Sequence, residues 1–102
     1  MSIRVMVVEP DKPPYVLEIP NGLKAMQDLV GGYIETVTLS GTAVLVRNEY
    51  GKFMGLKPNR MLNNDMLAGT FFVSGYRLGE FISISPQDIE KYETEFDCFL
   101  IM

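Results

Sequence analysis

The sequence predicts an α+β domain: a mostly antiparallel sheet of about five strands with two helices packed on it. Three observations carry the prediction. Strand-like apolar stretches outnumber helical ones, and glycine, proline or asparagine punctuates them. Two pairs of neighbouring stretches read as hairpins, which sets an antiparallel sense. The order β-β-α-β-β-loop-β-(β)-α, in 102 residues that are 47% apolar, fits one domain of two layers with a modest core.

The first strand is Ile3 to Val8, apolar at nearly every position, as expected of a strand buried on both faces. Glu9-Pro10-Asp11-Lys12-Pro13-Pro14 interrupts it, because proline donates no amide to a ladder. Tyr15 to Ile19 resumes as the second arm of a hairpin. Asn21 is placed to cap a short helix from Leu23 to Val30, with Leu23, Met26, Leu29 and Val30 towards the core. Gly31-Gly32 ends that helix. Tyr33 to Leu39 alternates, with Ile34, Thr36 and Thr38 on one face and Tyr33, Glu35, Val37 and Leu39 on the other. Ser40-Gly41-Thr42 turns the chain into Ala43 to Asn48, a second hairpin.

A long polar connection, Asn48 to Thr70, follows. Turns are expected at Glu49-Tyr50-Gly51 and Pro58-Asn59, and a single helical turn at Asn63-Asn64-Asp65. Thr70 to Gly75 is the next strand, apolar on both faces. Tyr76 to Glu80 is a connection, and Phe81 to Ile84 a short strand. Ser85-Pro86-Gln87-Asp88 carries a helix start: a serine cap, proline at the first helical position and an acid three residues after the cap. That helix runs to about Glu95, with Ile89, Tyr92 and Phe96 on one face. Phe99-Leu100-Ile101-Met102 is a bare apolar end, expected to bury against the domain or to form a dimer patch.

Composition excludes several chemistries. The chain has no histidine, so it lacks the commonest general base and the commonest metal ligand. Its one cysteine, Cys98, permits no intrachain disulfide and reads as a small buried hydrophobe. A net charge of −4 and a pI near 4.7 argue against broad nucleic-acid or membrane-surface binding. No signal peptide or transmembrane run is legible, and a reducing cytoplasm is the expected location. No cofactor is expected.

The long connection is the candidate binding surface, since long loops in small domains are often functional. Lys52, Lys57, Asn59 and Arg60, beside Gly51 and Gly55, have the chemistry of an anion site: two ammonium groups, a guanidinium able to grip phosphate with two bonds, and bare backbone amides. The alternative is a solvated turn region. Tyr33, Glu35 and Tyr50 have the chemistry to stack a base and read its edge, or are ordinary strand residues. Asn48, Glu49, Asn59 and Asp65 either bridge the turns as a polar network or brace nearby backbone. Glu35, Glu49 and Asp65 have no spacing that marks an acid–base pair or a Mg²⁺ site.

Several segments, in order, resemble domain-of-unknown-function family 3846. They are Ile3–Pro10, Leu29–Glu35, Asn48–Lys52, Gly55–Arg60 and Asp65–Phe72. The resemblance implies a small protein of a bacterium, phage or mobile element, with the host cytoplasm as its setting, and implies no activity. The expectation is a non-enzymatic binding protein, with counter-defence as a candidate role, that sequesters an anionic nucleotide-like ligand or masks a host protein. Ligand contacts are expected from Tyr33, Glu35, Asn48, Glu49, Tyr50, Lys52, Asn59 and Arg60. The alternative is an accessory structural domain that assembles as a homo-oligomer without a ligand.

Overall fold

The apolar run after Arg4 forms the first strand, β1 (Ser2–Val8), in which Val5, Met6, Val7 and Val8 are all fully buried. A computed structural model describes residues 1–97; Cys98 and the Phe99–Met102 end, whose burial was an expectation, lie outside the described residues. The remaining elements are β2 (Tyr15–Pro20), α1 (Leu23–Val30), β3 (Ile34–Thr38), β4 (Ala43–Asn48), β5 (Pro58–Leu62), β6 (Asp65–Ala68), β7 (Phe71–Arg77), β8 (Glu80–Ile82) and α2 (Pro86–Glu95). The fold is α+β, as predicted.

The main sheet runs β2-β1-β7-β4-β3, with β8 also paired to β7, and the pairings are antiparallel. It has six strands rather than about five. The late strand β7 slots between the two early hairpins, pairing Met6 with Val73 on one side and Val46 with Phe72 on the other. Only a strand apolar on both faces can occupy the middle of a sheet covered on both faces, and Phe71-Phe72-Val73 supplies one.

The side chains of β1 and β7 point alternately into two cores. Val5, Val7 and Phe72 meet Met26 and Val30 of α1. Met6, Val8, Phe71 and Val73 meet Tyr92 of α2 and Phe96 just beyond its end, joined by Leu67 of β6. The helices therefore lie on opposite faces, and the two-layer expectation is corrected to three layers. The reason is that both faces of the central strands are apolar, and each must be covered.

Four local expectations are also corrected. Gly22, not Asn21, stands at the amino end of α1, because the Asn21 amide instead donates to the Phe81 carbonyl at 3.2 Å. The connection after Asn48 contains a second, two-stranded sheet, β5–β6. Asn63 and Asn64 do not start a helix; both adopt positive φ, 50° and 64°, and make the tight turn between those strands. Pro58-Asn59 opens β5 rather than a turn. The carboxyl cap of α1 holds as expected: Gly31 is left-handed at φ 79° and its amide donates to the Gln27 carbonyl at 2.8 Å. So does the start of α2, where Ser85 accepts from the Asp88 amide at 3.1 Å and Pro86 follows. Among the described residues no helix is long and apolar enough to cross a membrane.

Candidate functional site

The candidate site gathers where β4 ends and the chain turns over the β5–β6 ribbon. Asn48, the last residue of β4, is buried and organises the turn. Its amide donates to the Val30 carbonyl at 3.2 Å and reaches the Met54 sulfur at 3.5 Å, while its Oδ1 accepts from the Tyr50 amide at 2.8 Å. The Glu49 amide donates to the Tyr33 carbonyl at 2.8 Å, which extends the β3–β4 pairing by one step. Gly51 then passes beneath the ribbon so closely that a Cβ there would lie 2.8 Å from the Ala68 carbonyl oxygen. Two further backbone bonds, Met54 to Tyr50 at 2.9 Å and Leu56 to Gly51 at 3.0 Å, close a compact loop.

The tip of that loop is apolar and uncovered. Phe53 is 92% exposed, and Tyr50, Met54 and Tyr33 are exposed too. Beneath the tip, a cavity of about 120 Å³ opens between Arg47, Glu49, Lys52 and Phe53 on one side and Met66 and Ala68 on the other. Ligand pockets usually run to roughly 300–1,000 Å³, so this one does not admit a whole nucleotide. Tyr33 borders a separate hollow with Gly31 and Gly32 at the end of α1.

Acidic side chains already claim the cations of the site. Arg47 bridges Glu35 and Asp65, each at 2.9 Å. Lys52 pairs with the other oxygen of Asp65, and Lys57 pairs with Asp11 across the loop that follows β1. Burial works against the charge of Arg47, but the hydrogen bonds and charges of Glu35 and Asp65 outweigh it and hold its pKa above the ordinary value. Asp65 is held below the ordinary carboxylate value, first by the hydrogen bond from Lys52 and then by the one from Arg47.

Arg60 and Asn59 are not where an anion could meet them. Arg60 is 1% exposed. Its guanidinium donates to the carbonyls of Phe96 at 2.7 Å, Lys12 at 2.6 Å and Asn59 at 3.3 Å, and to Asn59 Oδ1 at 2.7 Å. The Asn59 amide in turn donates to the Val8 and Gly69 carbonyls, both at 2.8 Å. The two residues tie β1, the ribbon and the end of α2 together, so their expected place among ligand contacts is corrected to an internal brace. Of the two readings of the turn residues, the asparagines brace backbone: Asn48 holds its own loop and Asn59 the Val8 and Gly69 carbonyls, while Asp65 links β4, the loop and the ribbon through Arg47 and Lys52.

Of the expected contacts, the fold brings Asn48, Glu49 and Lys52 to the cavity and sets Glu35 beside it through Arg47. Tyr33 and Tyr50 stay at the surface, and Asn59 and Arg60 go inside. Sequence reading passed over Arg47 and Phe53. Arg47 had a legible signal, an arginine one residue from the end of a mostly apolar strand; Phe53 had a weaker one, an aromatic ring between Lys52 and Met54 in a polar stretch. Among the described residues, no three carboxylate, cysteine or histidine groups come together as metal ligands.

A family model described as a domain of unknown function (DUF3846) matches residues 3–97. No curated protein and no solved structure matches the chain.

Proposed function

Because the chain belongs to the DUF3846 family, whose description names a domain and no activity, we propose a function from the site itself: a non-enzymatic binding module that acts by occupying a protein partner. The observation that carries this reading is the apolar tip, with Phe53 92% exposed above cations that are already neutralised. A monomer gains nothing by holding a bare phenyl ring in water, and uncovered apolar groups within a polar rim mark interaction sites. Aromatic anchors dominate binding energy at such surfaces. The loop is also braced from within by Asn48, so little conformational freedom is lost when the tip is covered.

The nucleotide reading loses ground on the same geometry. Lys52 and Lys57 are paired, Arg60 is interior, and the cavity is too small. In the phage or mobile-element setting that the sequence resemblance implied, the partner is a host protein and occupancy masks it.

The test compares the full chain with its Phe53→Ser variant, matched for melting temperature. The expected result is a partner retained by the wild type from host extract and lost, by at least tenfold in affinity, with the variant. Equal retention by both sinks the proposal. In parallel, a nucleotide panel is expected to leave the melting temperature unchanged; a rise of several degrees with any member restores the ligand reading.

Self-assembly is a second reading, and one feature favours it. The outer strand β2 keeps Tyr15, Val16 and Leu17 exposed along an open sheet edge. Such edges pair with other strands unless blunted. A sedimentation coefficient that is independent of concentration and matches a monomer removes this reading.

A further inference from the structure

The open edge of β2 has a definite hydrogen-bonding pattern as well as exposed side chains. β2 pairs with β1 alone, in a register that sets Ile3 opposite Ile19, Val5 opposite Leu17 and Val7 opposite Tyr15. Just past that ladder, and in the same register, the Asn21 backbone amide donates to the Met1 carbonyl at 2.9 Å. Opposed residues of antiparallel strands alternate between bonded and non-bonded pairs. Since Met1 and Asn21 are bonded, the bonded pairs of the ladder are those of Ile19, Leu17 and Tyr15. The amides and carbonyls of Val16 and Glu18 point the other way, to the open side.

Two prolines bound this edge in the same phase. Pro14 and Pro20 hold the next outward positions, and neither has an amide to donate. The edge between them offers two donors, those of Val16 and Glu18. It is also symmetric, with Leu17 at its centre and a proline three residues to either side. The middle is left uncovered: Tyr15, Val16 and Leu17 are 39%, 43% and 38% exposed.

We infer that the occupant of this edge is the same edge of a second copy, antiparallel to it about a two-fold axis at Leu17. The inference rests on the self-assembly reading of β2 and supplies its partner and register. In that register Val16 faces Glu18 of the second copy, and Glu18 faces its Val16. Each outward amide then meets a carbonyl, and each of their carbonyls meets an amide. Pro14 faces Pro20, where no donor is wasted. Sliding by one pair in either direction sets a proline against Glu18 or Val16 and leaves a carbonyl there without a donor. The slide centred on Glu18 also sets two carboxylates directly opposite each other, where they repel. Side chains favour the same register. Tyr15 and Leu17 lie opposite Val7 and Val5, so they share the α1 side of the sheet with Ile19. Across the axis Leu17 meets Leu17 in a non-bonded pair, the closer kind, and Tyr15 meets Ile19. The symmetry selects a second copy: a two-fold contact uses one pattern twice, and a foreign strand has no reason to match it.

The contact is small beside a specific interface of about 20–30 residues a side, so the dimer should depend on concentration. Sedimentation equilibrium of the full chain is expected to show monomer and dimer in exchange. Amide hydrogen exchange at high concentration should slow most at Val16 and Glu18. Val16→Pro removes one outward donor and leaves the ladder to β1 intact, and Leu17→Lys sets like charges at the axis. Each should weaken dimerisation at least tenfold, and Leu17→Lys, at a part-exposed position, keeps the test valid if Val16→Pro does not fold. In a Cys98→Ser background, Leu17→Cys should cross-link to a dimer with oxidised glutathione, and Val16→Cys should not. A monomer at every concentration overturns this inference and the self-assembly reading together. A dimer that Leu17→Cys does not cross-link, and that Leu17→Lys leaves intact, overturns the inference alone. Growth beyond a dimer does the same, since it requires β2 to pair head to tail with the other open edge, β3.

Discussion

Lysine and arginine do opposite things within one stretch of this chain, and burial decides which. Lys52 and Arg60 look alike in sequence, yet one holds an exposed ion pair and the other sits in a cage of carbonyls. Removing Arg60 strands those acceptors in the interior, so Arg60→Ala should lower stability by about 3 kcal/mol or more, while Lys52→Ala costs less than about 1 kcal/mol. Urea denaturation midpoints check both; equal small shifts would place Arg60 at the surface after all. Asp65 gives a pH prediction. Its folded pKa lies below the ordinary aspartate value of 3.8, so the folded state binds fewer protons there. Its contribution is therefore complete above that ordinary value and fades as pH falls through the depressed folded one. In Lys52→Ala, the Asp65 titration followed by carboxyl NMR should move upward, since the first cause of the depression is gone. An unmoved titration would mean that Lys52 does not set it.

At the scale of elements, the β5–β6 ribbon was the part least legible from sequence. Its strands are short, its register shifts between Pro58 and Arg60, and its turn is Asn-Asn rather than Asn-Gly. Asparagine also belongs to helix starts, and local sequence does not separate the two uses. The left-handed φ of 64° at Asn64 gives a direct check. Asn64→Gly should be neutral or stabilising by a few tenths of a kcal/mol, whereas Asn64→Val should destabilise by about 1–2 kcal/mol, because a β-branched side chain resists that conformation. Thermal unfolding measures both, and a harmless valine would show that the turn is not left-handed. The two helix ends were better marked. Gly31 and Ser85 act through backbone geometry and one local hydrogen bond, which neighbours in sequence suffice to specify. Asn21 failed as a cap because a distant carbonyl, that of Phe81, claimed its amide.

Across the whole molecule, stability should be graded from the middle of the sheet outward. β7 is paired on both sides and buried on both faces, while β3 has one pairing partner and a solvent edge. Native-state hydrogen exchange should therefore find the slowest amides in β7 and the adjoining part of β1, and faster ones along β3. Equal protection of β3 would mean that something covers that edge, as self-assembly would. The sequence by itself determined the α+β class, both hairpins of the main sheet, the carboxyl end of α1, the start of α2 and the lack of histidine chemistry, because each depends on periodicity, turn residues or composition. Only the tertiary structure decided that β7 divides the hairpins, that the helices take opposite faces, that Arg60 and Asn59 go inside and that Phe53 stays out. Those outcomes depend on contacts between residues far apart in the chain, where burial and pairing override what the side chains could do alone.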